Sequence, residues 1–598
     1  MHGTLTVEVS VSASEITGVR VTDNVETPGV GAWAIEFIPQ RIIAQQSVNV
    51  DVVTGVSLTS KAIMRGVEHC LSQAGANIEA FNKASQKTRV SDETRLADVV
   101  IVGGGGAGLA AAVSAVNAGV SVILIEKTGF LGGNSIVSGG IYNAANPEMQ
   151  DHWPALPGYE KLVTDALAER PVSEEHRVLI ERVRSEFDAF KRTDKTLFDS
   201  PSWHALQTWN GGDKIAELKI VQTLTGNALS GYQWYKSMGT EWKNLLIQGT
   251  GAMYQRTYWA ALPNGTGFIK AFRDTLTGKG NYTQLMETSG KSLIVEGGRV
   301  VGVNAEAKDG HKITIRANKG VILATGGFAG NIDLRQQYCE GEKWPDLGPT
   351  LKTTNMPGVT GDGIFMAQTI GAQLVNMQHI QLLQVCNPQN GTVGGNSYPN
   401  DVAGYTFINK NGQRFVREDG RRDEISTAII SQPDGMTWLV QSADTITDPD
   451  TNTTLDGRSI TYMLDNKLHG WVKGDTLEEF ARMIGVPADN LKRSIDAFNI
   501  HVDSQSPDEF GRVLFSYKHT RGPWYAFPCK PAAHHTMGGV RIDENTHALR
   551  TDGSVIPGLY CAGEITGVVH GANRLGGNAI VDFTVFGRIA GTNAAAGK

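Results

Sequence analysis

Three glycines spaced as GxGxxG, Gly103, Gly105 and Gly108, are followed by an acid, Glu126, 18 positions after the last of them. That spacing suits the gripping of a pyrophosphate. The first glycine permits a tight turn, the second lets the backbone approach the phosphates, and the third lets a helix pack closely on a strand. The acid accepts hydrogen bonds from a ribose, while the N–H groups and dipole of a helix N-terminus hold the anion. Without flanking elements the same glycines are only a flexible turn, so the elements decide. Asp98–Val102 is an apolar, β-branched run of strand length, Ala107–Ala118 is alanine-rich and stopped by Gly119, and Val120–Ile125 is a second strand. The pattern is a βαβ dinucleotide unit. Val99–Ile125 carries no charge and resembles a membrane span in composition, but six glycines and two strand-length runs argue against one continuous helix.

Other glycine clusters extend the phosphate chemistry. In GFLGGNSIVSGGIYN, Gly133, Asn134, Ser135, Gly139 and Gly140 suit a second phosphate or the edge of a flavin ring. Thr325-Gly326-Gly327 falls in Lys312–Asn331, which reads as strand–turn–strand and then a glycine pair opening a helix. Gly563-Glu564 ends a strand in VIPGLYCAGEITG. Gly576-Gly577-Asn578-Ala579 then opens a C-terminal helix whose N-terminus suits negative charge on a reduced flavin.

A chain of 598 residues exceeds one ordinary domain, and 40% hydrophobic with 19% charged residues is a soluble globular balance. A net charge of −7 without a Lys/Arg block gives no footprint for nucleic acid. Five scattered cysteines with no CxxC disfavour a disulfide framework, a zinc site or c-type haem, so no metal is expected. MHGTLTVEV has neither a charged n-region nor an apolar h-region, so a cytoplasmic location is expected, or a periplasmic one if a signal has been removed. No integral membrane segment is expected.

Five stretches follow from these patterns. Residues 1–75 alternate in period 2, with a hairpin and a closing helix at Ser60–Ser72; 76–95 reads as a connector, partly helical at Ile78–Ala84. Residues 96–377 and 537–598 have dinucleotide-domain character, with 158–250 helix-like. Residues 378–536, richer in Asp, Asn, Arg and Pro, read as an inserted α+β cap with strands about the turn Lys410-Asn411-Gly412. The fold class is α/β: a Rossmann-like domain, an inserted cap and a small N-terminal α+β domain.

ETPGVG at Glu26–Gly31 and DVVTGVSLTS at Asp51–Ser60 resemble the small FMN-binding domain in which a flavin transferase attaches FMN through a phosphoester bond. By position Ser57 matches the modified hydroxyl, with Val56 and Ser57 departing from the usual Ala and Thr, and Thr59 in reserve. The remainder resembles the soluble fumarate reductase family, which includes flavocytochrome c fumarate reductases and urocanate reductases. The matching motifs are GGGGAGLAAA, GFLGGNS, ATGGFAGN, TGDG (Thr360–Gly363), GRRDEIS (Gly420–Ser426), HHTMGGV (His534–Val540) and HGANRLGGNA (His570–Ala579). The haem domain of the flavocytochromes is absent.

The resemblance implies non-covalent FAD, with Lys127 and Asp362 joining the glycine clusters and Arg574 as cofactor contacts, and covalent FMN at Ser57. It implies Arg422 as the proton donor and His535 with Arg574 as the pair binding a substrate carboxylate. An arginine acid must be promptly reprotonated; Asp401, Asp423 and Glu424 are the available carriers. By residue type alone, Arg422 would be an ion-pair member and the histidines satisfied core residues. Where the fumarate reductases carry a second histidine for the distal carboxylate, MQHIQLLQVCNPQ places Leu383. A dicarboxylate would leave a buried charge unpaired, so the expected substrate is an α,β-unsaturated monocarboxylate such as urocanate, a cinnamate or another acrylate. Asp401 is a candidate for an imidazole tail, and Tyr254, Tyr258 and Trp259 are either ring-stacking or core aromatics. The competing readings are a fumarate reductase, a 3-ketosteroid dehydrogenase or reductase, and a flavinylated electron carrier. With no second dinucleotide fingerprint, a separate reductase or quinol-linked partner is expected to supply electrons.

Overall fold

The computed structural model describes residues 5–24, 26, 29–82, 91–150, 153–393 and 402–598. Its largest sheet has eight strands. The apolar run before the glycine fingerprint becomes the strand Glu93–Val102, which lies parallel between Lys312–Leu323 and Val122–Ile125; Tyr282–Leu285 and Val555–Cys561 extend the parallel set on either side. Arg299–Ala307 and Thr288–Glu296 add an antiparallel pair, and His547–Leu549 closes the other edge. Val122–Ile125 and most of the C-terminal half of Glu93–Val102 are buried, as expected where a sheet is covered on both faces, whereas Tyr282–Leu285 is half-buried to exposed.

The helix Gly106–Asn117 starts where the strand ends, and the C-terminal helix Asn578–Ala596 packs along it. Small residues allow that approach. A Cβ on Gly587 or Gly591 would come within 2.7 or 2.2 Å of the carbonyl oxygens of Ala107 and Ala111. Both helix N-termini are thereby aimed at the same cavity.

A second, antiparallel sheet of five strands covers that cavity. Trp524–Thr536 is its spine, pairing with Ile380–Cys386, Thr437–Ser442 and Val472–Gly474, while Thr406–Ile408 pairs with Thr437–Ser442. The N-terminal hairpin Leu5–Val11 and Ile16–Asn24 carries two helices, Gly31–Gln45 and Ser57–Gln73. No helix among the described residues is long and apolar enough to cross a membrane.

Several local expectations are corrected. Lys312–Leu323 is one continuous strand; the expected turn is a register shift between Ala317 and Gly320, which keeps the strand paired on both sides of it. The helix after Gly326-Gly327 begins only at Ile332, where the Asn331 side chain accepts from the Leu334 amide. Helices fill 159–237 and not 238–250, which forms isolated bridges to the Thr257–Ala260 segment. Among the described residues the connector is helical over Ile78–Phe81, as a 3₁₀ turn, and the end of the expected helix at Ala84 lies outside the described residues; only the strand Thr406–Ile408 flanks the Lys410–Gly412 turn.

Candidate functional site

The strand and helix ends converge on an elongated cavity of about 1840 Å³ including its mouth. One end is built by the fingerprint. Gly103 has a φ of +106° and would set a Cβ 2.4 Å from the Ala324 oxygen, and a Cβ on Gly108 would lie 1.9 Å from the Gly103 oxygen. Gly105 differs. Its Cβ would meet no atom of the described residues within 4 Å and would project into open space at the helix N-cap. Glu126 turns back on this loop, accepting from the Gly104 amide at 2.7 Å and from the Thr128 amide and hydroxyl at 2.7 and 2.8 Å. Lys127 bonds Thr360 and Asp362 at 2.6 Å each at the rim.

Gly133, Asn134, Ser135, Gly139, Thr325, Gly326, Gly563, Glu564, Gly577 and Ala579 all line the cavity. Gly108, Gly140, Gly327 and Asn578 do not, and act on its shape instead. Gly140 and Gly327 let backbone and side chains approach within distances a Cβ would forbid. Asn578 is buried behind the wall, bonded to Asn143, Thr208 and His204. Asn134 ties the wall to the following loop through the Met356 amide and Asn355. Burial raises the Glu564 carboxyl to about 7, against the Thr536 amide and hydroxyl that donate to it.

The other end gathers cations. Arg422 is the first residue of the helix Arg422–Ile430. Its guanidinium donates to the Thr250 carbonyl at 2.8 and 3.0 Å and to the Gln381 side-chain oxygen at 3.1 Å. Among the described residues it has no ion pair. Burial and then the Arg574 charge push it well below its ordinary pKa. Two glycines make room for it: a Cβ on Gly251 would lie 2.5 Å from its Cγ, and one on Gly576 would lie 2.9 Å from Nη2.

Arg574 donates to the Leu575 carbonyl at 3.1 Å, and its Nε has no hydrogen-bond partner among the described residues. Burial lowers its pKa to about 10, partly offset by Glu564 and Asp582. His534 and His535 come from the end of the Trp524–Thr536 strand. Burial and then Arg574 push both well below the ordinary histidine value, so both imidazoles are neutral. His534 Nδ1 meets the Thr354 hydroxyl at 2.8 Å, while His535 Nδ1 has no partner among the described residues. Leu383, Val385, Val393 and Leu455 line the cavity with apolar surface.

The relay candidates separate. Asp423 is held by Arg421 at 2.8 Å and Lys343 at 2.6 Å, Glu424 is exposed, and Asp401 lies outside the described residues. Tyr254, Tyr258 and Trp259 are buried core aromatics that do not line the cavity; the Tyr254 hydroxyl donates to the Phe198 carbonyl. Sequence reading did not single out Thr250 or Gln381. Thr250 receives Arg422 through its backbone oxygen, which leaves no trace in residue type.

Ser57 is exposed at the first position of the helix Ser57–Gln73, and Thr59 is buried behind it. The segment before it touches the cavity wall: the Gly129 amide donates to the Thr54 carbonyl at 2.8 Å, and a Cβ on Gly55 would lie 2.7 Å from the Phe130 ring.

Residues 98–580 match the FAD binding domain family and residues 1–72 the FMN-binding domain family. The NADH:acrylate oxidoreductase of Vibrio harveyi is 36% identical over 613 residues, covering 99% of this chain, and the chain spans 60% of that relative's length. The urocanate reductase of Eggerthella lenta is 31% identical, covering 99% of this chain and 90% of the relative. A solved flavocytochrome c3 fumarate reductase superposes with a TM-score of 0.60 at 29% identity, covering 87% of this chain and 83% of that one.

Proposed function

Because the chain belongs to the flavoprotein family that includes the fumarate and urocanate reductases, with an FAD-binding and an FMN-binding domain, we propose that it reduces the C=C bond of an α,β-unsaturated monocarboxylate. The observation that carries the reading is a pair of buried guanidiniums, Arg422 and Arg574, facing one cavity beside two neutral histidines, with Arg574 Nε and His535 Nδ1 unpartnered among the described residues. Buried charges are retained where a counter-charge completes them. A substrate carboxylate does so here, with Arg574 and His535 as its donors.

FAD, when bound, would supply the hydride for the β-carbon of the alkene. Gly103, Gly105, Glu126, Gly133, Asn134, Ser135, Thr325, Gly326, Asp362, Glu564, Gly577 and Ala579 are proposed to hold it, and the open space at Gly105 fits a pyrophosphate. Arg422 holds the proton destined for the α-carbon. Desolvation and the Arg574 charge both favour its release, and the Thr250 carbonyl and Gln381 fix the direction in which the guanidinium points. Asp423, already saturated by Arg421 and Lys343, is a poor direct relay, which leaves Asp401 as the proposed carrier. The stretches 1–75, 96–377 with 537–598, and 378–536 are proposed as FMN-binding, FAD-binding and capping domains, with 76–95 as linker. A flavin transferase is the proposed source of FMN at Ser57, and a separate reductase or quinol-linked protein the electron donor.

The apolar wall at Leu383, Val385 and Val393 supports the monocarboxylate reading. A second carboxylate there would be buried against alkyl groups, at a cost of several kcal/mol. With reduced viologen as donor, kcat/KM is expected to be higher for urocanate, cinnamate or acrylate than for fumarate. Fumarate as the best substrate would overturn the monocarboxylate assignment.

A further inference from the structure

Glu287 lies outside the cation-lined cavity, yet it collects contacts from three directions. It follows the strand Tyr282–Leu285 in a left-handed conformation, φ +51°, which turns its carboxylate toward the N-terminal unit. Oε1 accepts from the Thr54 hydroxyl at 2.5 Å and the Thr54 amide at 3.2 Å, and from Lys308 at 2.8 Å; Oε2 faces Arg41 at 3.5 Å. The two cations also hold the segment directly: Lys308 donates to the Val52 carbonyl at 2.7 Å, and Arg41 to the Asp51 carbonyl at 2.7 Å. Burial opposes ionisation of Glu287, but Lys308 and Thr54 outweigh it and keep the carboxyl below its ordinary pKa.

The backbone continues this contact into the cavity wall. The Glu287 amide donates to the Thr128 carbonyl at 2.9 Å, and Thr128 in turn donates to Glu126. Gly55 has a φ of +90° and lies against Phe130, which lines the cavity, so the segment 51–57 has one close-fitting seat. A surface pair in isolation is worth little, but this carboxylate is mostly buried and receives a charge-assisted bond, a hydroxyl and an amide together.

We propose that Glu287 is a positioning residue that latches the segment 51–57, which carries Ser57, onto the wall of the FAD cavity, so that electrons pass from FMN to FAD from one fixed arrangement of the two units. The proposal rests on Ser57 as the FMN attachment site. The latch bridges Thr54 and Lys308, 254 positions apart in sequence, and joins the attachment segment to Glu126 through a single residue, Thr128.

The test compares wild type, Glu287→Ala and Glu287→Asp as full chains carrying FAD and produced with the flavin transferase. Flavin retained after denaturation reports attachment; its absence from wild type sinks the Ser57 reading and says nothing against the latch contacts. Hydrogen exchange over residues 51–60 reports the latch itself. Exchange is expected to rise about tenfold or more in Glu287→Ala, the population change from losing one charge-assisted hydrogen bond. Glu287→Asp should recover part of the protection, and FAD affinity should be unaltered. With a donor entering at FMN, kcat should fall while KM for the alkene stays constant. Unchanged exchange over 51–60 in Glu287→Ala, or loss of FAD in parallel with it, would overturn the proposal.

Discussion

At the residue scale, Arg422 and Arg574 are both buried but differ in how fully their N–H groups are partnered, and they should fail differently. Arg422 is fixed by neutral acceptors and has no ion pair among the described residues, so its alanine variant loses a positioned acid. Turnover by Arg422→Ala should drop by ~10²-fold or more with substrate binding retained. Arg574 has an unpartnered Nε, and its alanine variant should weaken binding as well, by ~1.5–3 kcal/mol. Steady-state kinetics and equilibrium titration of the two variants check this; identical losses in both would contradict the division of roles. Both arginines and His535 were legible as motif members, and the cavity brings all three together. Their neighbours were not legible. Thr250 acts through a carbonyl, and Asp423, adjacent to Arg422 in sequence, points to Arg421 and Lys343, because successive residues on a helix face different directions.

At the element scale, the helix and second strand of the fingerprint unit were legible to within two residues, because strand, glycine turn and helix make mutually consistent demands on the chain. The first strand starts at Glu93, five residues before the apolar run, because pairing with Ile313–Ala317 extends it. Other elements were obscured by local signals that tertiary pairing overrode. Asn318-Lys319-Gly320 has turn composition, yet parallel pairing with Val99 and Val100 beyond it keeps Lys312–Leu323 a single strand. The helix Gly31–Gln45 contains Pro39 and a β-branched, aromatic run, which disguises the buried Ala34, Ile38 and Ile42 at helical spacing. The three fingerprint glycines also divide by cause. Gly103 and Gly108 are required by protein atoms, Gly105 by open space. Gly105→Leu should therefore leave the fold intact, as judged by thermal unfolding of the apoprotein, while abolishing FAD binding in an equilibrium titration. Full FAD occupancy in that variant would remove the pyrophosphate from this loop.

At the scale of the whole molecule, the parallel sheet and the antiparallel cap line one cavity, and the N-terminal unit touches its wall at Gly129 and Phe130. In the proposed site FAD would be held without a covalent bond between the first two, so it should stabilise the folded chain by mass action, ~2.7 kcal/mol at a hundred times its Kd. Ser57 is exposed at a helix start, accessible to a modifying enzyme, while Thr59 is buried and inaccessible in this conformation. A covalent modification survives unfolding and a bound cofactor does not. Protein made with the transferase should thus release one flavin on acid denaturation and retain one. Ser57→Ala should release the same FAD and retain none, with the reduction of an alkene by FAD persisting only for donors that bypass FMN. Retention of flavin by Ser57→Ala would transfer the attachment to Thr59, and would require the first turn of Ser57–Gln73 to open for the transferase, because the Thr59 side chain faces the interior of its own unit.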